Sequence, residues 1–399
     1  MHSILFVKKK PHFGRTCHNT ILVVSFIKTY IAILSNGFNI NFFSNSASVF
    51  FPKDQNLEHT KFTWPKEDLI QAQEEPNAQV IDLVGFLSND KAAAAATAKV
   101  LHAACMDRGF FQVTNHGVDE AIIQVTHDEI DTLFDIPMDE KLRLSRRGGS
   151  IWGYYGAHAD RFVKNLSSRR LTRLDLIMPV GRRLLLTTLI LSVDGGIWDT
   201  MVHALMPVYQ KYCEQINKLA IKILKLLEVS LGVEAEQNYR KLFEEGTSIM
   251  RCNYYLKCDQ PELVLGTGPH ADPTAITILH QDQVGGLQVF SENKWKYVLP
   301  CPDALVVNIA LSNGMYKSCV HRAVVNSERI RRSMVYFVCP KEDLVLRAPE
   351  KIVEADGGKR KYLDFKWADL CNFIHNHHRV HGTATLDNFS RCLPPSPAN

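Results

Sequence analysis

The chain contains no Cys-x-x-Cys pair, and its 10 cysteines are scattered over 399 residues. That spacing favours reduced thiols in a cytosol-like compartment over a disulfide framework. Strong charge of one sign is also missing. A formal net charge of +4, with no basic stripe interleaved with aromatics, gives no ground for a nucleic-acid partner. A long apolar run is absent as well. The stretch from Ile21 to Leu34 is interrupted by Lys28, too short and broken for a membrane span, and no small-residue cleavage site follows it. What remains is an ordinary globular balance, 46% hydrophobic and 22% charged residues, in a length that suits one large domain or two moderate ones. Composition thus agrees with a soluble enzyme of the cytoplasm.

Residues 1–60, with Lys8-Lys9-Lys10 ahead of the apolar run, read as an atypical N-terminal extension: disordered, a transit peptide or an inaccurate start. Order resumes near Phe62-Thr63-Trp64-Pro65. A mixed helical module is expected over 61–200, core-supporting helices over 201–245, a β-core over 246–345 and a helical region over 346–399. Within the first module, Ala78 to Leu83 reads as a short strand and Phe110 to Val113 as another. Asp90 caps an alanine-rich helix through Ala104, and Asp119 opens a helix to about Phe134. From Met201 to Leu231, Leu205, Val208, Tyr209, Tyr212, Ile216, Leu219, Ile223 and Leu226 fall on one stripe, as on a helix packed beneath a sheet. From Ser248 to Pro340 strands alternate with turns, and 364–394 look helical and would cover one end. The pattern predicts an α+β fold: a double-stranded β-helix, or jelly roll, with N-terminal and C-terminal helices.

The chemistry is concentrated in Gly268-Pro269-His270-Ala271-Asp272, Val320-His321-Arg322 and Arg331-Arg332-Ser333. Two histidines and one carboxylate can hold a ferrous ion on one face and leave its other positions open. An arginine with a hydroxyl two residues on can grip a dicarboxylate by charge-assisted hydrogen bonds. Neither pattern is rare by itself. His158-Ala159-Asp160 and His280-Gln281-Asp282 also match the first, His127-Asp128-Glu129 nearly does, and Arg143-Leu144-Ser145 matches the second. Context separates them. His270 and Asp272 lie between a Gly-Thr-Gly-Pro turn and a β-like run, Thr274 to Leu279, where residues two apart share a face. A hairpin through Asn326-Ser327-Glu328 would bring Arg331 and Ser333 near His321, and Asn253 and Tyr255 repeat the spacing on an earlier strand. His127, His158 and His280 are assigned structural roles.

Residues 252–290 closely resemble plant gibberellin 20-oxidases, a branch of the 2-oxoglutarate- and iron(II)-dependent dioxygenases, notably in Leu265-Gly-Thr-Gly-Pro-His-Ala-Asp-Pro-Thr274 and His280-Gln-Asp-Gln-Val-Gly-Gly-Leu-Gln-Val-Phe290. Gly109 to Val118, Ala310 to Ser318, His321 to Ser327 and Phe337 to Lys341 add to the match. The resemblance implies that His270, Asp272 and His321 bind iron. Arg331 and Ser333, assisted by Tyr255, would hold the distal carboxylate of 2-oxoglutarate, with Asn253 near the metal-chelating end. Ascorbate is implied as reductant, and the substrate would be a carboxylated tetracyclic diterpenoid oxidised at C-20, yielding succinate and CO2. The alternatives are another plant dioxygenase (a gibberellin 3- or 2-oxidase or a flavonoid oxidase) or a non-catalytic relic.

Two segments depart from that family. Asn308-Ile309 runs straight into Ala310, where the family reads Asn-Ile-Gly-Asp-Thr-Phe-Met, so five residues are missing. Unless the adjoining loop absorbs the loss, a shortened strand would displace His321 relative to the other ligands. Residues 165–190 replace the family's Leu-Pro-Trp-Lys-Glu segment. Residues 161–183 hold seven basic residues against Asp175 alone, which reads as an exposed cationic helix or loop, or as a local frame slip.

Overall fold

Short strand-forming runs, most of them in the second half of the chain, assemble into two main sheets. The computed structural model describes residues 64–135, 153–156, 173–180, 197–233, 240–377 and 385–393, with breaks at 65, 76–78, 89, 245, 247, 273, 310–311, 356 and 359. Residues 1–60, His158, Arg143 and Ser145 lie outside the described residues.

The smaller sheet contains β1 (Gln73–Glu75), β7 (Leu265–His270), β9 (Leu287–Ser291), β10 (Lys294–Val298) and β12 (His321–Val324), in the order β1-β10-β9-β12-β7. The larger is built from β2 (Val80–Asp82), β3 (Phe110–Thr114), β4 (Gly153–Gly156), β5 (Arg173–Val180), β6 (Ser248–Tyr255), β8 (Ile276–Gln281), β11 (Leu305–Ile309) and β13 (Arg331–Val338). Its order is β2-β3-β11-β8-β13-β6-β5-β4. From β6 onward, strands divide between the two sheets in the manner of a jelly roll. The short strands β14 (Val345–Leu346) and β15 (Phe365–Lys366) pair with each other.

Helices cover the larger sheet. α1 (Lys91–Asp107) begins at Asp90, whose carboxylate accepts from the backbone N–H groups of Ala92 and Ala93, two donors that the first helical turn leaves without partners. It runs three residues past Ala104. Asp119 caps α2 (Glu120–Asp135) through the N–H of Ala121 at 3.0 Å. In α3 (Ile197–Leu231), Tyr209, Tyr212, Ile216, Leu219, Ile223 and Leu226 are buried as the stripe predicts, in one core with Ile276, Ile278, Met334 and Tyr336 of the sheet. The expected helical tail resolves into α4 (Trp367–His377) and α5 (Thr385–Cys392) after β15. No described helix is long and apolar enough to cross a membrane, and all nine described cysteines are free.

Two expectations are corrected. Residues 173–180 are neither helix nor loop but β5, paired in continuous antiparallel register from Arg173↔Tyr255 to Val180↔Ser248. Leu174, Leu176, Ile177 and Met178 make a strand-compatible run, and β6 supplies the unpaired edge. Nor do β12 and β13 form a hairpin: β12 pairs with β7 and β9, and β13 with β6 and β8. The intervening residues 325–330 carry the chain from one sheet to the other, and register shifts in β12 at Ala323 turn it away from an in-plane return.

Among the described residues, two part-buried polar links join α2 to the larger sheet, the Asp131–Arg332 ion pair at 2.6 Å and a pair of histidines. His127 Nε2 and His280 Nδ1 share a hydrogen bond. Burial, reinforced by His280, Arg332 and Arg331, pushes His127 down to about 3. Burial and the neighbouring His116 push His280 down to about 4, opposed by Asp303. Both rings are therefore neutral when folded and gain protons on unfolding. Their contribution is fully present above the free-imidazole value and drains away as pH falls from about 6.5 toward 4. The melting temperature should fall over that window, and His127→Leu/His280→Leu should flatten the fall. Equal slopes for parent and variant would remove this pair as the cause.

Candidate metal and co-substrate site

His270 is the last residue of β7 and His321 the first of β12, and the two are direct cross-strand partners. Their ring centroids are 4.2 Å apart. Each ring is fixed through Nδ1: His270 bonds the Gly268 carbonyl at 2.9 Å and His321 the Cys319 carbonyl at 3.2 Å. An imidazole that donates from Nδ1 presents the Nε2 lone pair outward. Asp272 meets both Nε2 atoms, Oδ1 at 3.6 Å from His270 and Oδ2 at 3.7 Å from His321. The ligand atoms of the three residues all lie within 4.8 Å of one another, the one such group among the described residues.

The route to this cluster differs from the expected one. The Gly-Thr-Gly-Pro stretch is part of β7 rather than a turn, and Asp272 stands beyond the strand's end. Nor does the shortened segment after Ile309 displace His321, which keeps its register with His270. The chain recovers within a few residues: Ile309 N–H donates to Gly109, Tyr316 N–H to Ser312 Oγ, and Lys317 N–H to Cys105. Ala310 and Leu311 lie outside the described residues.

Burial alone would push the Asp272 carboxyl up. The adjacent His321 and His270, with hydrogen bonds from Thr277 and Asn308, outweigh it and hold the group below its ordinary value. The carboxylate is therefore ionised and able to bind a cation. Two imidazole nitrogens and one carboxylate oxygen fit iron(II) better than they fit magnesium or calcium, which prefer all-oxygen shells.

The second half of the site lies on the larger sheet. Arg331 at the start of β13 is 1% exposed. Its Nη2 donates to Gln281 Oε1 at 3.3 Å, and its guanidinium carbon lies 4.8 Å from the centroid of the Tyr255 ring. Nε and Nη1 are buried without a protein partner. An unmatched buried cation is costly, so these nitrogens fit an anionic ligand. Ser333, fully buried, accepts from Asn253 Nδ2 at 3.0 Å, which leaves its own hydroxyl proton to donate to a carboxylate. Asn253 thus bonds the residue beside Arg331, and Tyr255 bonds Thr267 at 3.3 Å.

Two glycines make room for these groups. At Gly266 a Cβ would lie 2.5 Å from the Tyr255 ring. Gly286 has φ +108°, and its Cβ would lie 2.9 Å from the Val324 carbonyl and 3.1 Å from Arg331 Cδ. Of the competing motifs, His280 bonds His127, while Asp282 accepts from the Arg332 N–H at 2.6 Å. Asn308, Thr277 and Gln281 were missed because nothing in their spacing marks them. Their roles come from cross-strand register.

A jelly-roll barrel with two histidines paired on one sheet and a carboxylate just beyond its edge, and a buried fork of unmatched N–H donors on the other, defines a non-haem oxygenase that consumes a keto acid. Residues 246–340 match the 2OG-Fe(II) oxygenase superfamily, and residues 79–175 match the non-haem dioxygenase in morphine synthesis N-terminal family. Gibberellin 20 oxidase 5 of Arabidopsis thaliana is 41% identical over 356 residues, covering 88% of this chain and 91% of that protein. Gibberellin 20 oxidase 2 of Oryza sativa subsp. indica is 43% identical over 348 residues, covering 85% and 86%. The crystal structure of JOX2 in complex with 2OG, Fe and JA superposes with a TM-score of 0.68 at 27% identity, covering 85% of this chain and 95% of that one. The chain belongs to the gibberellin 20-oxidase family of 2-oxoglutarate- and iron(II)-dependent dioxygenases.

Arg331→Lys replaces a planar fork with a point charge. Losing one charge-assisted hydrogen bond costs about 1.5–3 kcal/mol, so the variant should bind 2-oxoglutarate roughly 10- to 150-fold more weakly. An unchanged co-substrate titration would contradict the assignment of Arg331.

Proposed function

We propose that this protein oxidises a gibberellin precursor, a carboxylated tetracyclic diterpenoid, at C-20. It does so with dioxygen and 2-oxoglutarate, releasing succinate and CO2, with ascorbate as reductant. The observation that carries the chemistry is the pairing of the His270–Asp272–His321 cluster with the unmatched buried guanidinium of Arg331. The substrate class rests on relatives at about 40% identity over nearly the whole chain.

In this reading His270, Asp272 and His321 bind iron(II), which when bound supplies the activation of dioxygen that splits the keto acid and oxidises a C–H bond. Arg331 and Ser333 grip the distal carboxylate of 2-oxoglutarate, Tyr255 supports the guanidinium by its ring face, and Asn253 orients the Ser333 hydroxyl. The protein's contribution is to orient both substrates and exclude water from the site. We read the protein as a cytoplasmic monomer without nucleic-acid or membrane partner. The cysteines, free among the described residues, fit a reducing compartment, and the small net charge gives no ground for a nucleic-acid partner.

Incubation with labelled gibberellin precursors, iron(II), 2-oxoglutarate and ascorbate should yield succinate in step with a C-20-oxidised product, read by mass spectrometry. Oxidation at a ring carbon instead would reassign the chain to a 3- or 2-oxidase activity, and no turnover by folded protein would leave the relic. His270→Ala, Asp272→Ala and His321→Ala should each abolish turnover, since each removes one protein ligand. Ordinary succinate yield in any of them would place the metal elsewhere.

A further inference from the structure

The two histidines and the carboxylate are held in different ways. His270 and His321 sit in hydrogen-bonded strands with each ring tied through Nδ1. Asp272 lies past the end of β7, so no ladder fixes its side chain. A carboxylate in that position can offer a metal one oxygen or both. The difference matters because an octahedral ion held by three protein atoms keeps three positions for solvent and substrate, and a chelating carboxylate takes one of them.

Two residues of the larger sheet restrain it. Asn308 on β11 and Thr277 on β8 are direct cross-strand partners, so their side chains project from the same face at adjacent positions. Asn308 Nδ2 donates to Asp272 Oδ2 at 3.2 Å. Thr277 also hydrogen-bonds the carboxylate, and its hydroxyl is held in turn by Thr274 Oγ1 at 3.0 Å. Asn308 is 9% exposed and Thr277 2%, so water does not compete strongly for these bonds. The two oxygens face the rings at nearly equal distances, Oδ1 3.6 Å from His270 Nε2 and Oδ2 3.7 Å from His321 Nε2. The proton donated to Oδ2 is what distinguishes them: it draws charge from Oδ2 and leaves Oδ1 as the better metal donor.

We propose that Asn308 and Thr277 are positioning residues that restrict Asp272 to single-oxygen coordination, and so keep one position of the metal open for the reaction. This rests on the reading of His270, Asp272 and His321 as the metal ligands. It also gives the retained Asn308 a role at the very point where the chain is shorter than the family pattern.

The test uses the full chain loaded with manganese(II), whose bound waters are counted from the relaxation rate of solvent protons, a quantity that a purely structural role would not move. Asn308→Leu keeps similar bulk and removes the donor. With the co-substrate absent, it should lose about one in three of the metal-bound waters as Asp272 chelates, while the metal-free melting temperature stays near the parent's. Where Asn308→Leu does not fold, Thr277→Val carries the same test and Thr277→Ser, which keeps the hydroxyl, should hold the parent's count. A folded variant without the donor that retains every parental water overturns the proposal. A parent chain that takes up no manganese at all would instead overturn the ligand assignment beneath it.

Discussion

The site depends on one register: His321 opposite His270 on β12 and β7. Because successive strand residues face opposite ways, that register also sends the next residue, Arg322, to the other side. There its Nε donates to Gln288 Oε1 at 2.6 Å, its Nη2 to the Ile70 carbonyl at 2.6 Å and its Nη1 to the Asp68 carbonyl. The guanidinium carbon lies 4.1 Å from the centroid of the Trp295 ring. Arg322 is 2% exposed, so this is a buried cation with an acceptor at each of its three nitrogens. A slip of one residue would bury it beside His270 and Asp272 and put His321 in its place. The inner face is thus secured partly from the outside.

The larger sheet poses the opposite problem. Arg331 is as deeply buried as Arg322, yet two of its guanidinium nitrogens have no protein acceptor. The fold tolerates that cost through the Tyr255 ring and Gln281, and the missing acceptors are what a distal carboxylate would supply. Stability is given up locally where a ligand is to be bound, as is common at functional sites. The two arginines differ in what completes them. Arg322 is completed by the chain itself, whereas Arg331 would be completed by the carboxylate proposed for it.

Much of this was legible before any coordinates. His270, Asp272 and His321 stood out by residue type and flanking strand-like runs, and the α3 stripe from Tyr209 to Leu226 marked a buried helix face. The pairings were not legible. A strand pattern for 321–324 and 331–338 suits a hairpin as well as a crossing between sheets, and only long-range pairing decides between them. Residues 173–180 looked cationic because their flanks are, while the apolar run within them found an edge on β6. Asn308 and Gln281 gain their roles from strands that precede or follow them at a distance, so no local spacing reveals them. The missing residues after Ile309 were expected to shift His321 unless the adjoining loop absorbed the loss. The backbone bonds from Ile309, Tyr316 and Lys317 hold the return path instead.

The most direct test compares two keto acids on the metal-loaded protein under anaerobic conditions by titration calorimetry. Pyruvate shares the keto-carboxylate end of 2-oxoglutarate but has no distal carboxylate to pair with Arg331 and Ser333. If the buried guanidinium is completed by that carboxylate, 2-oxoglutarate should bind at least roughly 10-fold more tightly than pyruvate, the equivalent of about one charge-assisted hydrogen bond. Equal affinities would contradict it, because the unmatched nitrogens of Arg331 would then have no part in holding the co-substrate.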